Sequence, residues 1–200
     1  MRAYMMKNKL GIADPFDLIK EEERISKQNA VKLFDCRSFK PGSWKSLSAI
    51  HKFLFDDIYY FAGTIRNTDL IKHGFKFVPA NYLKSAIKAV EQMPQSTFEE
   101  IIKKYVEMNL VHPFNEGNGR SMRIWLNWML EKEIGLVVDW SLVDKEDYLL
   151  AMERSPIRDI EIKYYLNKAL SVNSRSIYLK SIDQSFYYED LYSYCIKDLL

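Results

Sequence analysis

Glycine and proline are scarce in this chain, with 7 and 6 among 200 residues. Both are poor in helix interiors, so their scarcity favours an all-α chain and excludes collagen-like repeats, low-complexity disorder and a many-turned β-sandwich. Cysteine is nearly absent. Cys36 and Cys195 lie far apart with no Cys-x-x-Cys, and they read as free thiols in a reducing compartment, not as a disulfide framework. No sign of charge dominates: 29 Lys+Arg face 27 Asp+Glu, for a net +2 with no basic run, so no nucleic-acid footprint is expected. No apolar run approaches the ~20 residues of a membrane span. The start, Met1-Arg2-Ala3-Tyr4-Met5-Met6-Lys7, lacks the apolar stretch of a signal peptide. A cytoplasmic protein without membrane contact is the expectation. What is present is a chain 48% hydrophobic and 14% aromatic, long enough for one domain with a proper core. No internal repeat or linker divides it.

The apolar spacing predicts a series of helices. Asp14-Pro15 reads as an N-cap with proline at the first helical position, opening a helix to about Lys27. Leu47, Ile50, Leu54 and Ile58 form a core-facing stripe, with Gly63 at the expected helix end. Around Lys72-His73-Gly74 the period changes: Ile71, Phe75 and Phe77 read as a short β-hairpin that must lie on the helical body. Asn81 is placed to cap a helix with Leu83, Ile87 and Val90 that stops before Pro94. Thr97 and Glu100 have the capping-box spacing for a helix carrying Ile101, Ile102, Tyr105 and Met108. That helix must stop near His112, because Pro113 disfavours the α conformation before it. The next starts near Asn118 or Gly119, carries Met122, Trp125, Leu126 and Met129, and ends at Gly135. Helices over 144–153, 157–170 and 184–199 complete the reading.

Chemistry concentrates in His112-Pro113-Phe114-Asn115-Glu116-Gly117-Asn118-Gly119-Arg120-Ser121-Met122-Arg123. A helix ends at a histidine, a loop with two glycines follows, and a new helix begins with arginines in its first turns. Glycines let backbone N–H groups converge, and the helix start adds unpaired donors and the positive end of the dipole. The result is an anion cradle. Arg120 and Arg123, three apart, share a helix face and direct their forks to one region. His112 at the lip suits a general base at neutral pH. Glu116 would weaken phosphate binding unless a cation such as Mg²⁺ mediates. Taken singly, a His before Pro is an ordinary capping or core residue and Gly-Asn-Gly an ordinary turn. With two helix-face arginines beside them, a nucleotide-phosphate site accounts for all together. A Walker loop is excluded because Gly-Lys-Ser/Thr is missing, and His51, His73 and His112 lack zinc-ligand spacing.

The segment resembles the signature of the Fic family, His-Pro-Phe-x-Asp/Glu-Gly-Asn-Gly-Arg-x-x-Arg, at every fixed position. The hairpin from Ile65-Arg66-Asn67 through Phe77 is similar to the family's flap. The resemblance implies a compact Fic-type helical domain over 1–200, with its core at about 40–170, the flap at about 65–78 and a C-terminal inhibitory helix at about 184–199. It implies transfer of AMP from ATP, with Mg²⁺, to a Ser, Thr or Tyr hydroxyl of a target protein. By resemblance, His112 deprotonates the hydroxyl, Phe114 anchors the loop, and Glu116 helps hold Mg²⁺. Gly117, Asn118 and Gly119 form the anion hole, and Arg120 and Arg123 neutralise the β- and γ-phosphates. Asn109, Lys72 and His73 are weaker candidates for nucleotide contact, equally readable as surface residues. Transfer of phosphate, UMP or phosphocholine, removal of AMP, and a silent nucleotide-sensing module are the alternatives.

The tail reads Asp183-Gln184-Ser185-Phe186-Tyr187-Tyr188-Glu189-Asp190. Ser185 and Glu189 sit four apart, on one helix face. The pattern resembles the family's inhibitory Ser/Thr-x-x-x-Glu-Gly/Asn in the class where it is C-terminal (class III), and implies that Glu189 pairs with Arg123. Asp190 departs from Gly/Asn. Tyr187 and Tyr188 are candidate self-modification sites, with aromatic packing the plainer reading. Exposed aromatics leave self-association open. The resemblance names the B subunit of a type II topoisomerase as a candidate target.

Overall fold

The structure, a computed structural model, describes residues 7–36, 39–72 and 74–200. Among these, nine α-helices and two small antiparallel pairs of strands are formed. Helix α1, Pro15–Lys32, is capped by Asp14, whose side chain accepts from the N–H groups of Phe16 and Asp17. It continues past the expected Lys27 because nothing breaks it and Ala30 and Val31 are needed in the core. Helix α2, Trp44–Phe55, stops before Ile58, which is still wholly buried in the turns that follow. Gly63 (φ 75°) belongs to those turns and ends no helix.

Strands β1 (Ile71–Lys72) and β2 (Phe75–Lys76) make the flap hairpin, with Ile71 opposite Lys76 and Lys72 opposite Phe75. Asn81 does not cap helix α3, Leu83–Glu91. It lies inside a short 3-10 turn, Ala80–Tyr82, that runs directly into the helix. Helix α4, Phe98–Val111, has the full Thr97–Glu100 capping box. Helix α5, Asn118–Ile134, ends at left-handed Gly135. Strand β3, Val137–Val138, pairs with β4, Leu170–Ser171, around helices α6 (Lys145–Arg154) and α7 (Ile160–Lys168). Unlike the flap strands, which meet across a local glycine turn, β3 and β4 are separated by two helices, so no local signal in the sequence pairs them.

The expected single helix over 184–199 is replaced by α8, Arg175–Tyr187, an irregular stretch, and α9, Ile196–Leu199. A Schellman turn ends α8. Asp190 is left-handed (φ 62°), its N–H donates to Tyr187 O at 3.1 Å, and the N–H of Leu191 donates to Phe186 O at 3.2 Å. Leu191 and Phe186 are both buried, as this motif favours.

Helices α1, α2, α4 and α5 pack together, and α8 closes over α1 and α5. Helix α5 is buried on nearly every side, with Met122, Trp125, Leu126 and Met129 inaccessible. An all-round buried helix belongs at the centre of a fold. It therefore carries Arg120 and Arg123 into the interior, where charges must find partners. No helix among the described residues is long and apolar enough to cross a membrane.

Candidate active site

A cavity of about 350 Å³ opens where α4 ends, α5 begins, the flap overhangs and α6 forms the opposite wall. Of the candidate site residues named from the sequence, His112, Glu116, Asn118, Gly119, Arg123, Asn109, Lys72, Tyr188 and Glu189 line it. Val106, Leu110, Leu149, Met152 and Pro156 supply an apolar wall. Gly117 and Arg120 lie behind the lining. His73 lies outside the described residues.

His112 follows the last turn of α4 in a left-handed conformation, φ 48° and ψ 62°. This costs a non-glycine residue about 1–2 kcal/mol, and it turns the imidazole into the cavity. The ring stacks on Phe77 of the flap, centroids 3.9 Å apart. Nδ1 lies 3.3 Å from the carbonyl of Asn109, so Nδ1 carries the proton and Nε2 is the bare acceptor. Nε2 is buried with no partner. Burial, then the charge of Lys72, pushes the ring down to about 3, which keeps it neutral.

The loop is braced from within. Asn118 accepts from Phe114 N–H at 2.9 Å and donates to Phe114 O at 2.7 Å, closing the turn. Its side chain is therefore committed, and its backbone N–H is what it can offer an anion. Phe114 is wholly buried between His51 and Trp44, stacked on His51 at 3.8 Å. His51 accepts from Gly63 N–H at Nδ1 (2.9 Å), so its Nε2–H donates to Glu116 O (2.8 Å). Gly117 is left-handed, and a Cβ there would meet the Phe55 ring at 2.3 Å. Glycine is required on both counts.

The charged centre joins three carboxylates and two guanidinium groups. Arg120, flanked by the Phe55 and Phe186 rings, donates to Glu22 Oε1 at 2.7 Å. Its Nε lies 3.0 Å from Glu189 Oε2, an ion contact without hydrogen-bond alignment. Burial works against its charge, but Glu189, Glu22 and Glu116 more than offset this and hold its pKa above the ordinary value. Glu22, also held by the Tyr59 hydroxyl, is pushed up by burial despite Arg120. Arg123 donates to Ser185 Oγ and O, both at 2.7 Å, and to Glu189 Oε1 at 2.9 Å. Burial would raise Glu189, yet Arg120, Arg123 and Lys72 outweigh it and hold the carboxyl at about 2. Glu189 thus touches both motif arginines. It follows the end of α8 just before left-handed Asp190, and it meets Arg123 together with Ser185. A Cβ on Gly119 would meet Glu189 Oε1 at 2.6 Å, so the missing side chain makes room for an acidic group at the start of α5.

Glu116 turns a half-buried carboxylate to the cavity, 3.8 Å from Arg120 Nη2 and 4.0 Å from Lys72 Nζ. Among the described residues no three His, Cys, Asp or Glu side chains gather as a metal cage. A single carboxylate facing the N-terminal turn of α5 fits the needs of Mg²⁺, which takes few protein ligands and completes its shell with other oxygens and water.

Tyr187 is exposed, with Lys145 over its ring. Tyr188 is largely buried and lines the cavity, and its hydroxyl is shared between Trp140 O (3.0 Å) and Val143 O (2.8 Å), the aromatic-packing arrangement. The sequence reading missed Glu22, Arg66 and the loop-bracing role of His51. Glu22 and His51 join the site only through packing between helices distant in sequence, and no local pattern marks them.

A model of the Fic/DOC family matches residues 43–130. Protein adenylyltransferase VbhT of Bartonella schoenbuchensis is 29% identical over 83% of this chain, which spans only 35% of VbhT. The probable protein adenylyltransferase Fic of Salmonella typhimurium is 26% identical over 62% of the chain and 68% of its own length. Among solved structures, the Fic domain of a putative cell filamentation protein from Bartonella quintana, with bound ADP, superposes with a TM-score of 0.76 at 20% identity, covering 89% of this chain and 95% of that one. BepC of Bartonella tribocorum, with bound AMPPNP, gives 0.74 at 20% identity over 87% of this chain and 96% of its own. The complete motif lies inside the matched segment, so over residues 43–130 the chain is similar to the Fic/DOC family, and the solved Fic domains share its fold.

Proposed function

We propose that the protein is an adenylyltransferase that moves AMP from ATP onto a hydroxyl side chain of a target protein and releases pyrophosphate. One observation carries the reading: a single cavity holds the unpartnered Nε2 of His112 and, across from it, the N-terminal turn of α5 with Gly119 and Arg123. A base and a polyanion site face each other over the space a nucleotide would fill. The names of the relatives support the same reading.

The roles follow from the geometry. The backbone of Asn118 and Gly119 and the guanidinium of Arg123 receive the phosphates, with Arg120 adding charge from behind. The apolar wall of α4 and α6 suits the base. The target hydroxyl gives its proton to His112 Nε2 while its oxygen attacks the α-phosphorus in line, and the pyrophosphate leaves toward Arg123. The Nδ1–H bond to Asn109 O keeps the tautomer and steadies the imidazolium. Phosphates arriving beside Lys72 offset its field and move the imidazole back toward a useful basicity. Glu116 would hold Mg²⁺, which, when bound, supplies charge neutralisation to the phosphates.

Glu189 acts as a brake in this reading. Its carboxylate sits where the cradle would take a phosphate, and it occupies Arg123. Incubating a cell lysate with ATP labelled at the α-phosphate tests both parts. The Glu189→Gly protein is expected to label a band more strongly than wild type. Equal labelling overturns the brake, and no labelling by either protein overturns AMP transfer. Purified B subunit of a type II topoisomerase is the first target to try, and a γ-label transferred in its place would mark phosphate as the group moved.

A further inference from the structure

Arg66 lies before the flap, outside the motif and outside the cavity lining. It is buried, and its hydrogen bonds go to backbone carbonyls. Nε donates to His112 O at 2.8 Å, and Nη2 to Val111 O at 3.2 Å and to Val78 O at 2.5 Å. Nη1 donates to Thr68 O at 2.6 Å, and the Arg66 backbone N–H donates to Pro113 O at 2.8 Å. Three consecutive carbonyls, those of Val111, His112 and Pro113, therefore accept from this one residue. Thr68 and Val78 are the two stems of the flap hairpin. The next residue inward from Val78 is Phe77, whose ring stacks on His112.

A helix C-terminus leaves carbonyls without intrahelical partners, and a cation there also answers the dipole. Those needs would be met by any cation. The planar five-donor fork goes further, because it fixes the directions of several carbonyls at once, which an ammonium cannot do. The carbonyl directions of residues 111–113 set the backbone on both sides of the His112 Cα. A left-handed non-glycine residue persists only where its surroundings over-determine it. Arg66 supplies that over-determination and ties it to the flap.

We propose that Arg66 is a positioning residue that makes the flap and the base one rigid unit, so that the flap stems, the left-handed backbone of His112 and the aim of its Nε2 are set together. The transfer part of this inference rests on the adenylyltransferase reading; the geometric part does not. The substitution to use is Arg66→Lys, which keeps the charge and loses the fork.

Two measurements test it. In the Glu189→Gly background, Arg66→Lys is expected to lower kcat for AMP transfer about 100-fold, the cost of a misplaced reacting group, with KM for ATP changed less than about twofold. An unchanged kcat, or a loss of kcat matched by a loss of ATP binding, overturns the proposal. The second measurement is the nitrogen NMR of the histidine rings in the full chain without nucleotide. In wild type both His51 and His112 are neutral single tautomers. In Arg66→Lys the His112 ring is expected to lose its fixed tautomer and titrate near the ordinary imidazole value, while His51, braced by Gly63 and Glu116, stays as it was. Both rings changing together, or neither changing, overturns the proposal and leaves Arg66 a stability residue. If the Glu189→Gly protein transfers no AMP at all, the functional reading fails, and the ring measurement still decides the role of Arg66.

Discussion

Two helices end at this site in the same unusual way. α4 ends in His112 at φ 48° and α8 in Asp190 at φ 62°, the two left-handed residues other than glycine among the described residues. The first turn presents the His112 ring to the cavity and the second presents Glu189. They differ in how they are held. His112 is held by the contacts of Arg66 to the carbonyls of Val111, His112 and Pro113 and by the Phe77 ring. Asp190 is largely exposed and contacts Lys145, and Glu189 is held chiefly by two guanidinium groups. Phosphates can replace a carboxylate on an arginine. They cannot replace a carbonyl on Arg66. Under the proposed function, the catalytic end is built to stay and the acidic end to be displaced.

The comparison breaks most visibly at its catalytic side. His112→Ala in the Glu189→Gly background is expected to lower labelling from α-labelled ATP by 10²–10⁴-fold, about the worth of a general base. Residual transfer near the parent level would remove His112 from the chemistry.

Acid sharpens the contrast next. His51 and His112 are held neutral with pKa values near 3, below the unfolded value of 6.5. The unfolded chain takes up protons first, so stability is fully present above pH 6.5 and is lost as pH falls from there toward 3. For wholly buried His51 the slope is up to about 1.4 kcal/mol per pH unit, and less for half-buried His112. Glu189, held at about 2 against 4.5, keeps its contribution until pH falls below 4.5. Denaturant titrations between pH 6.5 and 4.5 should therefore show a loss that shrinks in His51→Gln and is unchanged in Glu189→Gln.

Glu189→Gly itself is expected to raise transfer by 5–150-fold, the usual range of a coupling free energy, read as initial rate at saturating ATP. The smallest effect has the opposite sign. Asp190→Gly removes left-handed strain worth about 1 kcal/mol at the loss of an exposed ion pair worth about 0–1 kcal/mol. The turn tightens, so basal transfer should fall severalfold and the melting temperature rise slightly. A faster Asp190→Gly enzyme would mean that Lys145, not the turn, holds Glu189 in place.

Asp190 also shows why the tail was misread. Ser185 and Glu189 sit four apart, and a continuous helix was the natural reading. An aspartate is not a strong helix stop, and nothing local says that it will turn left-handed. Burial of Leu191 beside Phe186 decides it, because the turn is what brings the two together. Capping residues behaved differently. Asp14, Thr97 with Glu100, and Gly135 do their work through bonds within a few residues, and each was legible. Asn81 failed as a cap because a 3-10 turn consumed it.

What the sequence determined by itself is local: the helical body from glycine scarcity and apolar spacing, the hairpin from its change of period, and the motif loop from glycines that must bend and donors that must converge. What only the tertiary structure decided is partnership. Helix α5 had to be buried to complete the core, and burial forced Arg120 and Arg123 to find carboxylates. Those carboxylates are Glu22, from the first helix, and Glu189, from beyond the eighth. Charges taken out of water need counter-charges within a few ångströms, and which residues come that close is settled by the packing of helices, not by their order along the chain.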